Sequence, residues 1–365
     1  MKTRTLVCLT VAFVGYGVFL HAARAIGQEP IRPALPPTPV VVSRPAMPAM
    51  PAMPHVTAVP AVPQIGMPAL ELAMPAIPAV PAVPAIPALW GWSDRKHRGW
   101  SSHGDGPVDD CEGLRIRLHD ERPTIQPEER TVSKSEARVL RVHPLRNGGA
   151  QVQGWDKDVY SVTACKAAVG PDAPSLLSQI KLSVKDGEVS VSGPSSEDDD
   201  WTVYLLIRTP KAADVEVTTH NGPVAFYNVN GKINARATNG PIAVQNFSGE
   251  GDIAAVNGPI SFSGTSGKLR LHTENGPINV DVDGSTWSGD GLVADANNGP
   301  LTLHVPTGFQ SSFVVESSEH TPVSCQASIC SQTRRTWDDE HRRIEFGSGS
   351  PVIRLSTNNG PISVQ

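Results

Sequence analysis

Methionine is the first residue type whose spacing could do chemistry. Met47, Met50 and Met53 recur every third residue with His55 just beyond, and thioethers at that interval can hold Cu(I) in an exported protein. Met67 and Met74 complete the set after Met1, and all five share one stretch in which Ile and Val take equivalent places. Apolar filler in a drifting repeat is therefore the simpler reading, with a periplasmic Cu(I)-handling protein as an alternative. Carboxylates and histidines are the next candidates. Glu250, Asp252, Asp281 and Asp283 could serve a carbohydrate-active β-helix enzyme if they shared one exposed column, but their places in the sequence repeat differ. His220, His272 and His304 also fall at unlike repeat positions, and Trp337-Asp338-Asp339-Glu340-His341 reads as a solvated loop, as does the acidic run Glu197 to Asp200. Serine is abundant without a Gly-x-Ser-x-Gly elbow. No catalytic, cofactor or metal residue is assigned, and the expectation is that the protein is not an enzyme.

Cysteine chemistry is more definite. Met1-Lys2-Thr3-Arg4 precedes an apolar run from Leu6 to Leu20 and then Ala23-Arg24-Ala25, the plan of a cleaved export signal over residues 1–25. The apolar run is shorter than the roughly 20 residues that a membrane-spanning helix needs, so no transmembrane span is expected after cleavage. Beyond that signal remain Cys111, Cys165, Cys325 and Cys330, an even number in an exported chain, which points to two disulfides. Of the three possible pairings, Cys111 with Cys165 and Cys325 with Cys330 is preferred. Loss of the signal removes Lys2, Arg4 and Arg24 and no acid, taking the formal charge from −5 to −8. That balance argues against a nucleic-acid partner.

The elements that must carry these residues fall into two kinds. Seventeen of the 34 prolines lie between Pro30 and Pro87, and Pro75, Pro78, Pro81, Pro84 and Pro87 come every third residue. A polyproline II arm has three residues per turn, so residues 26–105 read as a disordered, extended Pro/Ala-rich linker. Farther on, Asn-Gly-Pro recurs at Asn221-Gly222, Asn239-Gly240, Asn257-Gly258 and Asn275-Gly276, 18 residues apart, then at Asn298-Gly299 and Asn359-Gly360. Apolar residues follow three and five places later, as in Val224 and Phe226 or Ile242 and Val244, the alternation of a strand with one buried face. Gly231, Gly249 and Gly267 open a second half-unit with Ile233, Ile253 and Leu269 inward. Strict repetition of strand, turn, strand, turn predicts a single-stranded parallel β-solenoid with rungs of about 18 residues. In it Asn-Gly supplies a positive-φ corner and the asparagines form a side-chain ladder. Recurrent aspartates at the turns are lacking, so calcium is not expected to organise the stack.

Upstream come Asn147-Gly148-Gly149, Gly154-Trp155-Asp156, the alternation Val159-x-Ser161-x-Thr163 and strands closing at Thr209-Pro210; downstream lies Ser356-Thr357-Asn358-Asn359-Gly360. Together with the Asn-Gly rungs, this order resembles a bacterial putative-adhesin β-solenoid family, a domain of unknown function, over roughly residues 130–365. The resemblance implies an exported surface or envelope protein with an adhesive or scaffolding role, and it brings no catalytic residues. The chain departs from it by its Pro-Ala linker and by the cysteine-bearing insertion between Asn298 and Asn359. The reading is thus a signal (1–25), a linker (26–105) and a β domain (106–365). That domain is expected to act in the periplasm, envelope or outside the cell as a non-catalytic interaction module, with an envelope protein or a glycan as partner.

Overall fold

The computed structural model describes residues 91–93, 99–102, 106–145, 147–195, 200–318, 321–337 and 341–365. The export signal, the proline repeat and all the methionines lie outside the described residues. So do Glu197–Asp199 and Asp338–Glu340.

The described chain is β-rich, with one seven-residue helix at Ala173–Gln179. Its strands form two large sheets, one of 11 strands and one of 12, and a separate three-stranded sheet of Gly91–Ser93, Gly99–Ser102 and Leu114–Arg117. Both large sheets are mixed. The single-stranded parallel solenoid expected from the repeat is therefore incorrect. Antiparallel pairs join Val159–Ala168 to Trp201–Pro210 and to Thr124–Ser133 in the 11-stranded sheet. In the 12-stranded sheet they join Lys181–Lys185 to Glu188–Ser192, and His341–Phe346 to Phe313–Ser318 and Thr333–Trp337. The physical reason is that the Asn-Gly corner, which returns the chain one layer higher, is missing from these segments. Asp186 and Gly187, with φ of 51° and 80°, instead make a two-residue hairpin turn.

Within the sheets the repeat still sets register. Val224, Ile242, Ile260 and Ile278 pair in sequence along the 11-stranded sheet, and Ile233, Gly251, Leu269 and Leu292 along the 12-stranded one, all in parallel. Alternate residues point between the sheets, where Phe226, Ile242, Phe262, Ile253, Leu271 and Leu303 form one fully buried apolar core. The 23-residue step to Asn298 is absorbed partly by a β-bulge, since Ser266 faces Ser288 while Lys268 faces Gly291.

On the outer face of the 11-stranded sheet, residues 106–118 form a cover. Val108, Leu114, Ile116 and Leu118 pack there against Leu206, Ala225, Tyr227 and Ala243 in a second apolar cluster. Gln151 fastens it by accepting from Val108 N at 2.9 Å and donating to Val108 O at 2.7 Å. Cys111 is bonded to Cys165 beneath it, and Cys325 is bonded to Cys330. Two disulfides mark a chain that matures outside a reducing cytoplasm. Among the described residues no helix is long and apolar enough to cross a membrane.

Candidate interaction surface

The corner asparagines come together as one continuous line. Each side-chain amide donates to the carbonyl oxygen of the asparagine one layer before it, from Asn221 to Asn147 (3.0 Å), Asn239 to Asn221 (2.8 Å), Asn257 to Asn239 (2.9 Å), Asn275 to Asn257 (3.0 Å), Asn298 to Asn275 (3.1 Å) and Asn359 to Asn298 (3.0 Å). Asn147, at the foot of the line, belongs to the upstream Asn-Gly-Gly turn. The glycine after each asparagine has a different task from the positive-φ turn expected of it. Gly222, Gly240, Gly258 and Gly276 are not among the positive-φ residues, and Gly299 and Gly360 reach 158° and 150°, at the extended edge of that region. What requires glycine is close approach of backbone, because a Cβ on Gly240 would stand 2.2 Å from Gly222 O and one on Gly258 the same distance from Gly240 O. Left-handed backbone sits instead at Asn228 and Asn246, whose φ values are 56° and 54° and whose side chains bond at 3.2 Å. Their 18-residue spacing was the available signal for a second corner.

Outward residues of the 12-stranded sheet form a broad and mostly polar row, interrupted by Val293 and by the buried Val314. Because neighbouring strands are in register, Arg141, Glu216, Asn234, Asp252, Arg270, Val293, Arg354, Val314, Glu345 and Arg334 stand directly opposite one another in a single row. At about 4.8 Å per strand the row is on the order of 40 Å long. Its charges, and those of the rows beside it, pair across strands. Arg141 meets Glu216 at 3.2 Å, Arg236 meets Asp252 at 2.7 Å, and Glu250 lies between Lys232 at 3.6 Å and Lys268 at 3.8 Å. Toward the other edge, Glu316 holds Arg354 at 3.2 Å and also Arg343, while Glu345 holds Arg343 at 2.8 Å and Arg334 at 2.6 Å. Its hydrogen bonds from Arg343 and Arg334 keep the Glu345 carboxyl below its ordinary value. Exposed pairs of this kind each stabilise little. Their collective effect is to hold long side chains flat and in fixed order.

Where the bulge interrupts the sheet, a groove of about 580 Å³ opens among Lys232, Glu250, Lys268, Arg270, Asp290 and Arg354. Arg270 has no ion-pair partner among the described residues. Higher on the same face, His272 bonds Glu274 at 3.0 Å and lies 3.8 Å from Asp295, and Asn297 donates to the other Glu274 oxygen. The bonds from His272 and Asn297 draw the Glu274 carboxyl below its usual value.

The residues weighed for catalysis do not assemble. His272 points outward from the 12-stranded sheet, whereas His304 points outward from the 11-stranded one, 3.9 Å from Asp281. Burial pushes the Asp281 carboxyl up, against the pull of His304 and with a further push from Asp283. His220 is exposed at the end of Asp214–Asn221, Asp252 is occupied by Arg236, and Asp283 accepts a hydrogen bond from Ser263 at 2.8 Å. Among the described residues no three His, Cys, Asp or Glu side chains converge as metal ligands.

No protein-family model matches the chain, and no curated protein does. Solved structures similar to it include a putative cell adhesion protein from Clostridium sporogenes, at 12% identity and a TM-score of 0.27, over 66% of this chain and 99% of that one. A putative adhesin from Bacteroides fragilis is 13% identical with a TM-score of 0.34, and one from Parabacteroides merdae is 8% identical with a TM-score of 0.32, each over 66% of this chain and 96% of its own. Likeness this distant leaves function to the chain's own residues.

Proposed function

We propose that this protein is an exported, non-catalytic interaction module of the cell envelope or cell surface, and that it meets an envelope protein or glycan through the outer face of its 12-stranded sheet. The observation that carries this reading is the ten-residue row from Arg141 to Arg334 and the ion pairs that order it. A face on the order of 40 Å across, built on hydrogen-bonded strands and set with fixed charges of both signs, suits an extended partner better than enclosure of a small substrate. The groove at Arg270 gives it a local foothold with a cation available. Residues 1–25 then act as the export signal, 26–105 as the spacer and 106–365 as the domain that makes the contact.

The test is cosedimentation of the mature chain with isolated cell envelopes and with purified envelope glycans, alongside an assay for newly released reducing ends. Retention is expected to fall at least tenfold when Lys268→Glu and Arg270→Glu are combined, with no reducing ends released by either protein. Equal retention of the double variant would reject the face as the contact, and release of reducing ends would make the protein an enzyme.

A further inference from the structure

A second feature belongs to the cover over the 11-stranded sheet, independent of the surface just described. Strand Leu114–Arg117 turns Leu114 and Ile116 inward, into the buried cluster with Leu206 and Tyr227, so alternation sends Arg115 and Arg117 outward. A tight hairpin follows. His119 and Asp120 both have left-handed backbone, with φ of 53° and 64°, and Leu118 and Glu121 exchange backbone hydrogen bonds of 3.2 and 2.9 Å across them. A two-residue turn with both φ values positive folds the chain straight back. Arg122, on the returning arm, therefore flanks the same closed pair as Arg117 on the outgoing one. The Cys111–Cys165 disulfide ties the outgoing arm to the sheet beneath.

Outside this hairpin opens a cleft of about 490 Å³ lined by Arg115, Arg117 and Arg122, with Pro123 and Ile125 as its apolar side. Its charge is of one sign, since no carboxylate lines it among the described residues. Arg117 and Arg122 are exposed, and neither has an ion-pair partner among the described residues. Elsewhere Arg141, Arg236 and Arg343 each meet a carboxylate. Here like charges share the two arms of one hairpin, an arrangement that destabilises paired strands and that an anion between them would reverse.

We infer that this cleft binds a phosphate group. A planar guanidinium fork pairs two phosphate oxygens at once. A phosphate monoester at neutral pH carries a charge of about −1.5 to −2 and three strong acceptor oxygens, enough for forks from both arms of the hairpin, whereas a carboxylate offers two oxygens. Ile125 and Pro123 give an organic substituent on the phosphate an apolar side to lie against. Free inorganic phosphate and an alkyl phosphate ester share this chemistry, and the apolar side is what separates them.

The experiment titrates the disulfide-intact mature protein with inorganic phosphate, with n-butyl phosphate and with acetate at constant ionic strength, following amide shifts by NMR. Saturable phosphate binding is expected, at least tenfold tighter than acetate and weakened when the ionic strength is raised. Arg117→Gln and Arg122→Gln should each weaken it at least fivefold. Arg141→Gln removes a cation from the 12-stranded sheet instead and should leave it unchanged. Thermal melting checks that each variant is folded. Tighter binding of the ester assigns the site to esterified phosphate lying along Ile125, and binding of inorganic phosphate as tight or tighter assigns it to the free anion. No saturable binding, acetate held as tightly as phosphate, indifference to both cleft substitutions, or an equal loss in Arg141→Gln would each overturn the inference.

Discussion

A methyl group at Gly240 would have to occupy space 2.2 Å from a carbonyl oxygen of the neighbouring layer, and neither backbone can withdraw without breaking its own ladder. Gly240→Val should therefore cost more than about 3 kcal/mol, the range of severe local clashes, measured by denaturant unfolding. Asn257→Ala deletes two exposed side-chain bonds, to Asn239 and from Asn275, and should cost only about 1–2 kcal/mol. That ordering distinguishes the glycine, needed for close approach, from the asparagine, which adds order along an edge already paired through its backbone. Glu274 provides a pH handle. Its carboxyl is lowered in the folded chain, so its contribution to stability is present above the ordinary glutamate value and is lost as pH falls through the lower folded value. Acid unfolding of Glu274→Gln should lack that part of the wild-type slope, while equal slopes would mean that the bonds from His272 and Asn297 do not survive in solution.

Between residue and molecule stand the elements, and here the sequence was legible in part. Eighteen-residue spacing was enough to place Asn239 over Asn221 and Ile242 beside Val224, because identical corners stack best on identical corners. Outside the repeat the same logic misled. Tyr160 to Ala168 and Val203 to Ile207 carry strong strand signals but no corner, and such strands pair antiparallel as readily as parallel. The Asp186-Gly187 dipeptide was a hairpin signal in plain view. Ion-paired rows could not be read in advance, since Arg141 and Glu216 are 75 residues apart and Arg354 and Glu316 are 38 apart. The disulfides differ in weight by the chain that each encloses. Cys111–Cys165 spans 54 residues and Cys325–Cys330 spans five, which corresponds to about 4 and about 2 kcal/mol in the loop-entropy account. Replacing the first pair with serine should lower the melting temperature more than replacing the second, and should also free the cover over Leu206 and Ala225 to exchange its amide hydrogens faster. The reverse order of melting temperatures would mean that the cover is held by its apolar contacts and Gln151 alone.

For the molecule as a whole, two mixed sheets enclose one core and leave two outer faces of different character. One is covered by residues 106–118 at its upstream end and carries small and polar side chains beyond. The other carries ordered ion pairs on either side of Val293 and the buried Val314. A sheet face of the second kind keeps its geometry without a partner, so binding to it should require little rearrangement. The association should also weaken with ionic strength, because exposed charges farther apart than a Debye length are screened. The most direct measurement compares envelope binding by three folded proteins: the mature wild type, the Lys268→Glu and Arg270→Glu double variant, and a control altered on the opposite face at Gln245→Ala and His304→Ala. The control should bind like the wild type, while the double variant should lose at least tenfold. Loss in the control with full retention in the double variant would contradict it and move the contact to the other sheet.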